Sequence, residues 1–191
     1  MKKISFRFAH NFFLLGIVIL AFLSSCSNNT ADNEKTNTVA ASTNNSTNAE
    51  TETLLRRFDS LDYDIYSHQK WDSFQISHAD DILVHYPDGS TSKGLADHLT
   101  QLKPMFVFAP DTRIQEHPVK FGTNGWTSVI GTMEGTFSAP MPVGNGKTIA
   151  PTGKKFKLAM STVANWKDGK MIEEYLFWDN QAFMKQIGLA Q

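Results

Sequence analysis

The chain has 191 residues, 41% of them hydrophobic and 12% aromatic, with 18 Lys and Arg against 19 Asp and Glu. That length and apolar content suit one folded domain, and a net charge of −1 disfavours nucleic acid as a partner. A single cysteine excludes an internal disulfide, a dithiol redox couple and a multi-thiolate metal site.

The first segment reads as a leader. Lys2, Lys3 and Arg7 precede an apolar run over about residues 12–23, which Leu23-Ser24-Ser25-Cys26 closes. A charged start, an apolar stretch too short to span a bilayer and a small-residue exit predict a secretory signal. The quartet ending at Cys26 resembles the lipobox of bacterial lipoproteins. That resemblance implies a thiol alkylated with diacylglycerol and a cleavage that leaves Cys26 as the first mature residue. The alternative is a lone hydrophobic cysteine in an uncleaved anchor. On the lipobox reading the protein belongs to the cell envelope, held to a bacterial membrane through the Cys26 lipid and working outside the cytoplasm, since two or three acyl chains hold firmly where one holds weakly. Without Lys2, Lys3 and Arg7 there remain 15 basic against 19 acidic residues, a net charge of about −4 that again disfavours nucleic acid.

Residues 27–50 are Ser, Thr, Asn and Ala with scattered charges, a composition that predicts a disordered tether because it cannot bury enough apolar surface to offset backbone ordering. Such a coil spans roughly 25 to 30 Å on average. The expected organisation is therefore a signal over 1–25, a lipidated cysteine with its tether over 26–50, and one folded domain over 51–191.

In that domain Leu54, Leu55, Phe58, Leu61, Ile65 and a terminal Trp71 recur at three- and four-residue spacing, which predicts an amphipathic helix. Ile82 to Tyr86 reads as a strand stopped by Pro87-Asp88-Gly89, and a short helix is expected over 95–102, after Gly94 and before Pro104. Period-two patterns follow at 114–121 and 126–137, paired across Thr123-Asn124-Gly125. Phe156, Leu158, Met160, Thr162, Ala164 and Trp166 form one face of a long strand that turns at Lys167-Asp168-Gly169-Lys170 into 171–178, and a last helix is expected over 180–187. Helices followed by an antiparallel meander predict an α+β fold with a curved sheet around helices and room for a pocket between them.

Gly169-Lys170-Met171-Ile172-Glu173-Glu174-Tyr175-Leu176-Phe177-Trp178-Asp179, followed by Gln186-Ile187-Gly188, resembles the closing signature of SnoaL-like proteins, the polyketide and ester cyclase branch of the nuclear transport factor 2-like superfamily. His85-Tyr86-Pro87-Asp88-Gly89 with Lys93-Gly94, Gly131-Thr132 with Gly135-Thr136-Phe137, and Pro151-Thr152-Gly153-Lys154 fall in matching order, so the resemblance covers about residues 54–188. It implies a conical α+β barrel, a curved antiparallel sheet wrapped around N-terminal helices, with a small apolar molecule in its cavity and a homodimer formed through the exposed sheet face. The superfamily carries cyclases, isomerases, dehydratases and non-catalytic modules on one scaffold, so function rests on the site.

In SnoaL-type cyclases the aspartate after the acidic-aromatic strand is the general acid and base, and Asp179 holds the matching position. Closing a ring by intramolecular aldol addition needs a base beside a carbonyl and then an acid for the new alkoxide, and one carboxyl can serve as both in turn. Tyr175, Phe177 and Trp178 would desolvate it and raise its pKa, and together with Tyr86 and Met133 they are the candidate substrate contacts. Asp179 also precedes Asn180-Gln181-Ala182-Phe183, where an aspartate is a favoured helix N-cap. Met133 stands where these cyclases often carry histidine, and Glu134 alternates to the opposite face. His85 and His117 are the candidate imidazoles from neighbouring strands, although an isolated histidine is more often a hydrogen-bonded packing residue.

Other chemistry finds little support. His68, His78, His85, His98 and His117 lack paired-ligand spacing, so neither a metal nor another cofactor is expected. Gly144-Asn145-Gly146-Lys147-Thr148 lacks the first glycine of a phosphate loop, no Gly-x-Ser-x-Gly elbow is present, and Glu173 and Glu174 fall on opposite strand faces. Three classes stay open: a cyclase or isomerase using Asp179, a non-catalytic binder of a small ligand, and an assembly module.

Overall fold

The computed structural model describes residues 48–191, so the leader, Cys26 and most of the tether lie outside the described residues. Among the described residues no helix is long and apolar enough to cross a membrane.

The first amphipathic pattern forms helix α1 over residues 48–60 and continues as one π-helical stretch, Leu61–Tyr66. Its apolar stripe is the face that packs: Leu54, Leu55, Phe58, Leu61 and Ile65 are at most 5% exposed. Each such side chain contributes about 1.5–3 kcal/mol by leaving water. In the wider π turn the Ser67 N–H bonds the Asp62 carbonyl five residues back, and Asp62 and Tyr66 are carried inward with the apolar stripe. Trp71, expected at the end of this helix, instead opens a 3₁₀ turn, Trp71–Ile76, because Gln69 at φ 55° breaks the helical path.

The chain then runs β1 (His78–His85), β2 (Thr91–Lys93), α2 (Leu95–Phe108), β3 (Arg113–Ile114), β4 (Val119–Thr123), β5 (Trp126–Thr136), β6 (Met141–Pro142), β7 (Thr148–Ile149), β8 (Lys155–Lys167), β9 (Lys170–Trp178) and α3 (Asn180–Gln186). Helix α2 passes through Pro104 instead of stopping before it, and the Thr100 carbonyl that proline leaves without a helical donor lies on an exposed turn. The strand expected over 114–121 is split into β3 and β4, since Pro118 has no N–H for the ladder and His117 turns inward to two carboxylates. The two tight hairpins form at Asn124-Gly125 (φ 50° and 76°) and Asp168-Gly169 (φ 52° and 75°), the left-handed pairs that suit two-residue turns between twisted strands.

The seven-stranded sheet has the order β2-β1-β9-β8-β5-β3, with β4 also on β5, and a separate small sheet joins β6 to β7. Two features correct the expected conical barrel of antiparallel strands. The end strands β2 and β3 are not bonded to each other, so the sheet stays open and does not wrap around the helices. It is also mixed, because β1 pairs with β9 in parallel, with Val84 opposite Glu174 and His85 opposite Tyr175. The chain leaves β1 through β2 and α2, builds the meander and returns along β9 in the same direction, a crossover that closure by hairpins alone cannot give.

Long antiparallel pairing of β5 with β8, from Trp126 opposite Asn165 to Thr136 opposite Lys155, forms the centre of the sheet. Its inner face carries Val129, Met133, Phe156, Leu158, Ala164 and Trp166 against α1 and α2. Gly131 and Gly135 lie on that face, where an added Cβ would stand 3.2 Å from Ile114 Cγ2 and 2.8 Å from Phe156 Cζ respectively. These two glycines let neighbouring side chains close over the strand. Helix α3 seals the far end with Phe183 edge-on to Phe156 at a centroid distance of 5.0 Å.

Candidate functional site

Between the inner sheet face and the helices lies a cleft of about 700 Å³. Exposed Asp88, Ser90, Gln101, Asp179 and Asn180 mark its mouth, while Leu61, Leu102, Met105, Met160 and Leu176 are among its walls. Its base is polar: Asp62, His78, His98 and Glu174 are all buried there. The expected small apolar molecule in a barrel cavity is thereby corrected. The sheet does not close around a cavity, and the recess that exists is a cleft ending in ionisable groups.

His78 starts β1, His98 sits one turn into α2 and Glu174 is central in β9. Glu174 Oε2 lies 3.5 Å from His98 Nε2 and 3.9 Å from His78 Nε2, and the rings of His78 and His98 stack at 5.5 Å. The far side of each ring is held. His78 Nδ1 is 3.2 Å from the Phe74 carbonyl and 3.0 Å from Ser77 Oγ; a carbonyl only accepts, so Nδ1 carries the proton and Nε2 presents its lone pair to Glu174. His98 Nδ1 meets the Tyr86 hydroxyl at 3.0 Å, and that hydroxyl meets Ser92 Oγ at 2.9 Å. Among the described residues His78 Nε2 and Glu174 Oε2 are buried side-chain atoms without a hydrogen-bond partner. Burial disfavours charge on all three groups: it pushes Glu174 up to about 8, helped by the charge of Asp62, holds His98 down at about 4, and with the neighbouring His98 holds His78 at about 3.

The described residues singled out by sequence separate into four places. Tyr86, Met133 and Trp178 line the cleft, with Tyr66 donating its hydroxyl hydrogen to Met133 Sδ at 3.7 Å. Asp179 is at the mouth, where its Oδ1 accepts the Ala182 N–H at 2.8 Å and caps α3. Tyr175, Phe177 and His85 are on the other sheet face and not around Asp179. His85 stacks on Tyr175 at 4.1 Å, both bond Glu173 Oε1, and Phe177 is 52% exposed. Glu134 also points outward, ion-paired to Arg113 at 3.0 Å.

His117 is clamped between carboxylates, with Nδ1 on Asp59 Oδ1 and Nε2 on Asp62 Oδ2, both at 2.8 Å, and only Asp62 of this group reaches the cleft. Cys26 lies outside the described residues.

His78, His98 and Glu174 were not among the sequence candidates as a group. A partial signal existed: Glu174 has the strand parity of Leu176 and Trp178, and His98 shares the stripe of Leu95, Leu99 and Leu102, so each is a polar residue on an apolar face.

Solved structures share this architecture at low identity. IdmH from Streptomyces antibioticus, described as a candidate polyketide cyclase, is 19% identical over 71% of this chain and 98% of its own, with a TM-score of 0.60. Candidate polyketide cyclases from a Jannaschia species and from Xanthomonas campestris give 15% and 14% identity, 74% and 72% coverage of this chain, 95% and 98% of their own, and TM-scores of 0.63 and 0.61. Identities this low establish the fold alone. No curated protein matches the chain. The SnoaL-like polyketide cyclase pattern, however, matches residues 55–187, from the buried stripe of α1 to the end of α3, and on that match the chain belongs to the SnoaL-like polyketide cyclase family.

Proposed function

We propose that this protein moves a proton on a small carbonyl compound, using Glu174 with His98 at the base of the cleft, and that it does so at the cell envelope on a lipid anchor at Cys26. The observation that carries the chemistry is the buried Glu174 Oε2, without a hydrogen-bond partner and 3.5 Å from His98 Nε2. Burial pushes Glu174 up to about 8 and holds His98 down at about 4, so at neutral pH the carboxyl keeps its proton and the imidazole facing it is neutral. With that proton on the carboxyl, Glu174 can donate to a carbonyl oxygen while the neutral imidazole accepts the proton from the adjacent carbon, the two roles that enolisation and ring closure require. Tyr86 orients His98 from behind, and the walls hold the carbon skeleton with its polar end inward.

Hydrogen–deuterium exchange at the α-carbons of a panel of ketones and β-keto esters, followed by proton NMR with chelator present, tests this reading. Wild-type protein should accelerate exchange on at least one compound, and Glu174→Gln should lose that acceleration by at least about 100-fold. Equal exchange in both would overturn it. The anchor rests on Leu23-Ser24-Ser25-Cys26. Intact-mass analysis should find a lipid on Cys26, and Cys26→Ser should no longer partition with membranes.

A further inference from the structure

The three atoms that converge at the base of the cleft also form a ligand set. We infer that His78 Nε2, His98 Nε2 and a Glu174 carboxylate oxygen bind one divalent transition-metal ion, Zn²⁺ by preference, with a fourth position open to the cleft. The ligand atoms lie within 4.8 Å of one another, with Glu174 Oε2 at 3.5 and 3.9 Å from the two nitrogens.

Ligands about 2.0–2.1 Å from a tetrahedral zinc stand roughly 3.4 Å apart, whereas neighbouring ligands of an octahedral ion stand about 3.0 Å apart. The observed spacings exceed both and lie closer to the tetrahedral one. Two imidazoles and a carboxylate with an open position is a zinc donor set that leaves room for water or substrate.

Four further features fit a built site. His78 Nε2 and Glu174 Oε2 are buried and lack hydrogen-bond partners. His78 has its other nitrogen fixed on the Phe74 carbonyl, so the lone pair is aimed at the shared centre. His98 has its other nitrogen on the Tyr86 hydroxyl, which is itself bonded to Ser92. The ligands come from β1, α2 and β9, so the fold itself brings them together.

This inference rests on the cluster's geometry and not on the proton-transfer reading. A bound ion takes the place of the Glu174 proton and occupies the His98 lone pair, so Zn²⁺ should suppress the exchange that is measured with chelator present. Exchange without Zn²⁺ binding would overturn the metal site alone, and Zn²⁺ binding without exchange would overturn only the proton-transfer reading.

The test uses the full chain, stripped with chelator and titrated with Zn²⁺ against a chromophoric competitor. One Zn²⁺ per chain should bind, and Co²⁺ should give the intense visible absorption of a four-coordinate ion. Glu174→Gln and His98→Gln should each weaken Zn²⁺ at least 100-fold, while His68→Ala, at an exposed position, should leave it unchanged. Zn²⁺ affinity in the Glu174→Gln/His98→Gln double variant equal to wild type would overturn the site. So would a weak six-coordinate Co²⁺ spectrum. Should the variants fail to fold, wild type alone decides: saturating Zn²⁺ must raise its Tm, and an unchanged Tm overturns the inference.

Discussion

Replacing His117 by Phe keeps the ring that packs edge-on to Phe58 and against Tyr63 but removes both nitrogens from the Asp59–His117–Asp62 clamp. The His117 side chain is fully buried, and the side chain of Asp62 is only 10% exposed. Two hydrogen bonds to charged groups contribute about 1.5–3 kcal/mol each, and stripping the partner from a buried carboxylate costs about 3–5 kcal/mol in all. For a domain of this size 1 kcal/mol moves Tm by roughly 3–4 °C, so His117→Phe should lower Tm by about 10–20 °C at pH 6, read by circular dichroism.

Each group's pH dependence has a defined sign. Burial opposes charge on His117, but the hydrogen bonds and charges of Asp62 and Asp59 outweigh it, so its pKa lies above the ordinary 6.5. Its contribution is complete below 6.5 and is lost as pH rises through the folded pKa, whereas burial raises the Asp62 carboxyl, which His117 holds down, so at Asp62 the loss of His117 costs more as pH rises. Asp59 also acts in the direction opposite to His117. Burial opposes its charge, yet Lys120 and His117 prevail and hold it below 3.8, so its share is present above 3.8 and lost as pH falls through the folded pKa. A Tm within 3 °C of wild type at pH 6 would refute the clamp.

At Asp179, Asn should keep the α3 cap and Ala should lose it at about 1 kcal/mol by urea unfolding, while α-carbon exchange unchanged in Asp179→Asn would remove proton transfer from this residue. Gly122→Ala places a Cβ 2.5 Å from the Trp126 carbonyl oxygen across the β4–β5 hairpin, so it should destabilise by about 1–3 kcal/mol; a neutral result would mean the hairpin relaxes freely. Pro104→Ala should restore an α2 hydrogen bond to the exposed Thr100 carbonyl and raise stability by about 1–3 kcal/mol in the same assay.

Local pattern alone specified a large part of this chain. The three- and four-residue spacing from Leu54 to Ile65 sets the buried face of α1, strand alternation puts Phe156 and Leu158 inside and Lys157 outside, and Asn124-Gly125 and Asp168-Gly169 set two hairpins, because each signal depends only on neighbours in sequence. The same locality explains what was illegible. Alternation states which face a strand residue points to, but not which distant element meets that face or whether two strands run parallel. The β1–β9 pairing, and with it the open sheet, is decided only when the meander returns to β1. His78, His98 and Glu174 carry no spacing signal for that reason: tertiary packing of β1, α2 and β9 buries them together, and burial beside one another turns three ordinary polar residues into the chemical centre of the cleft.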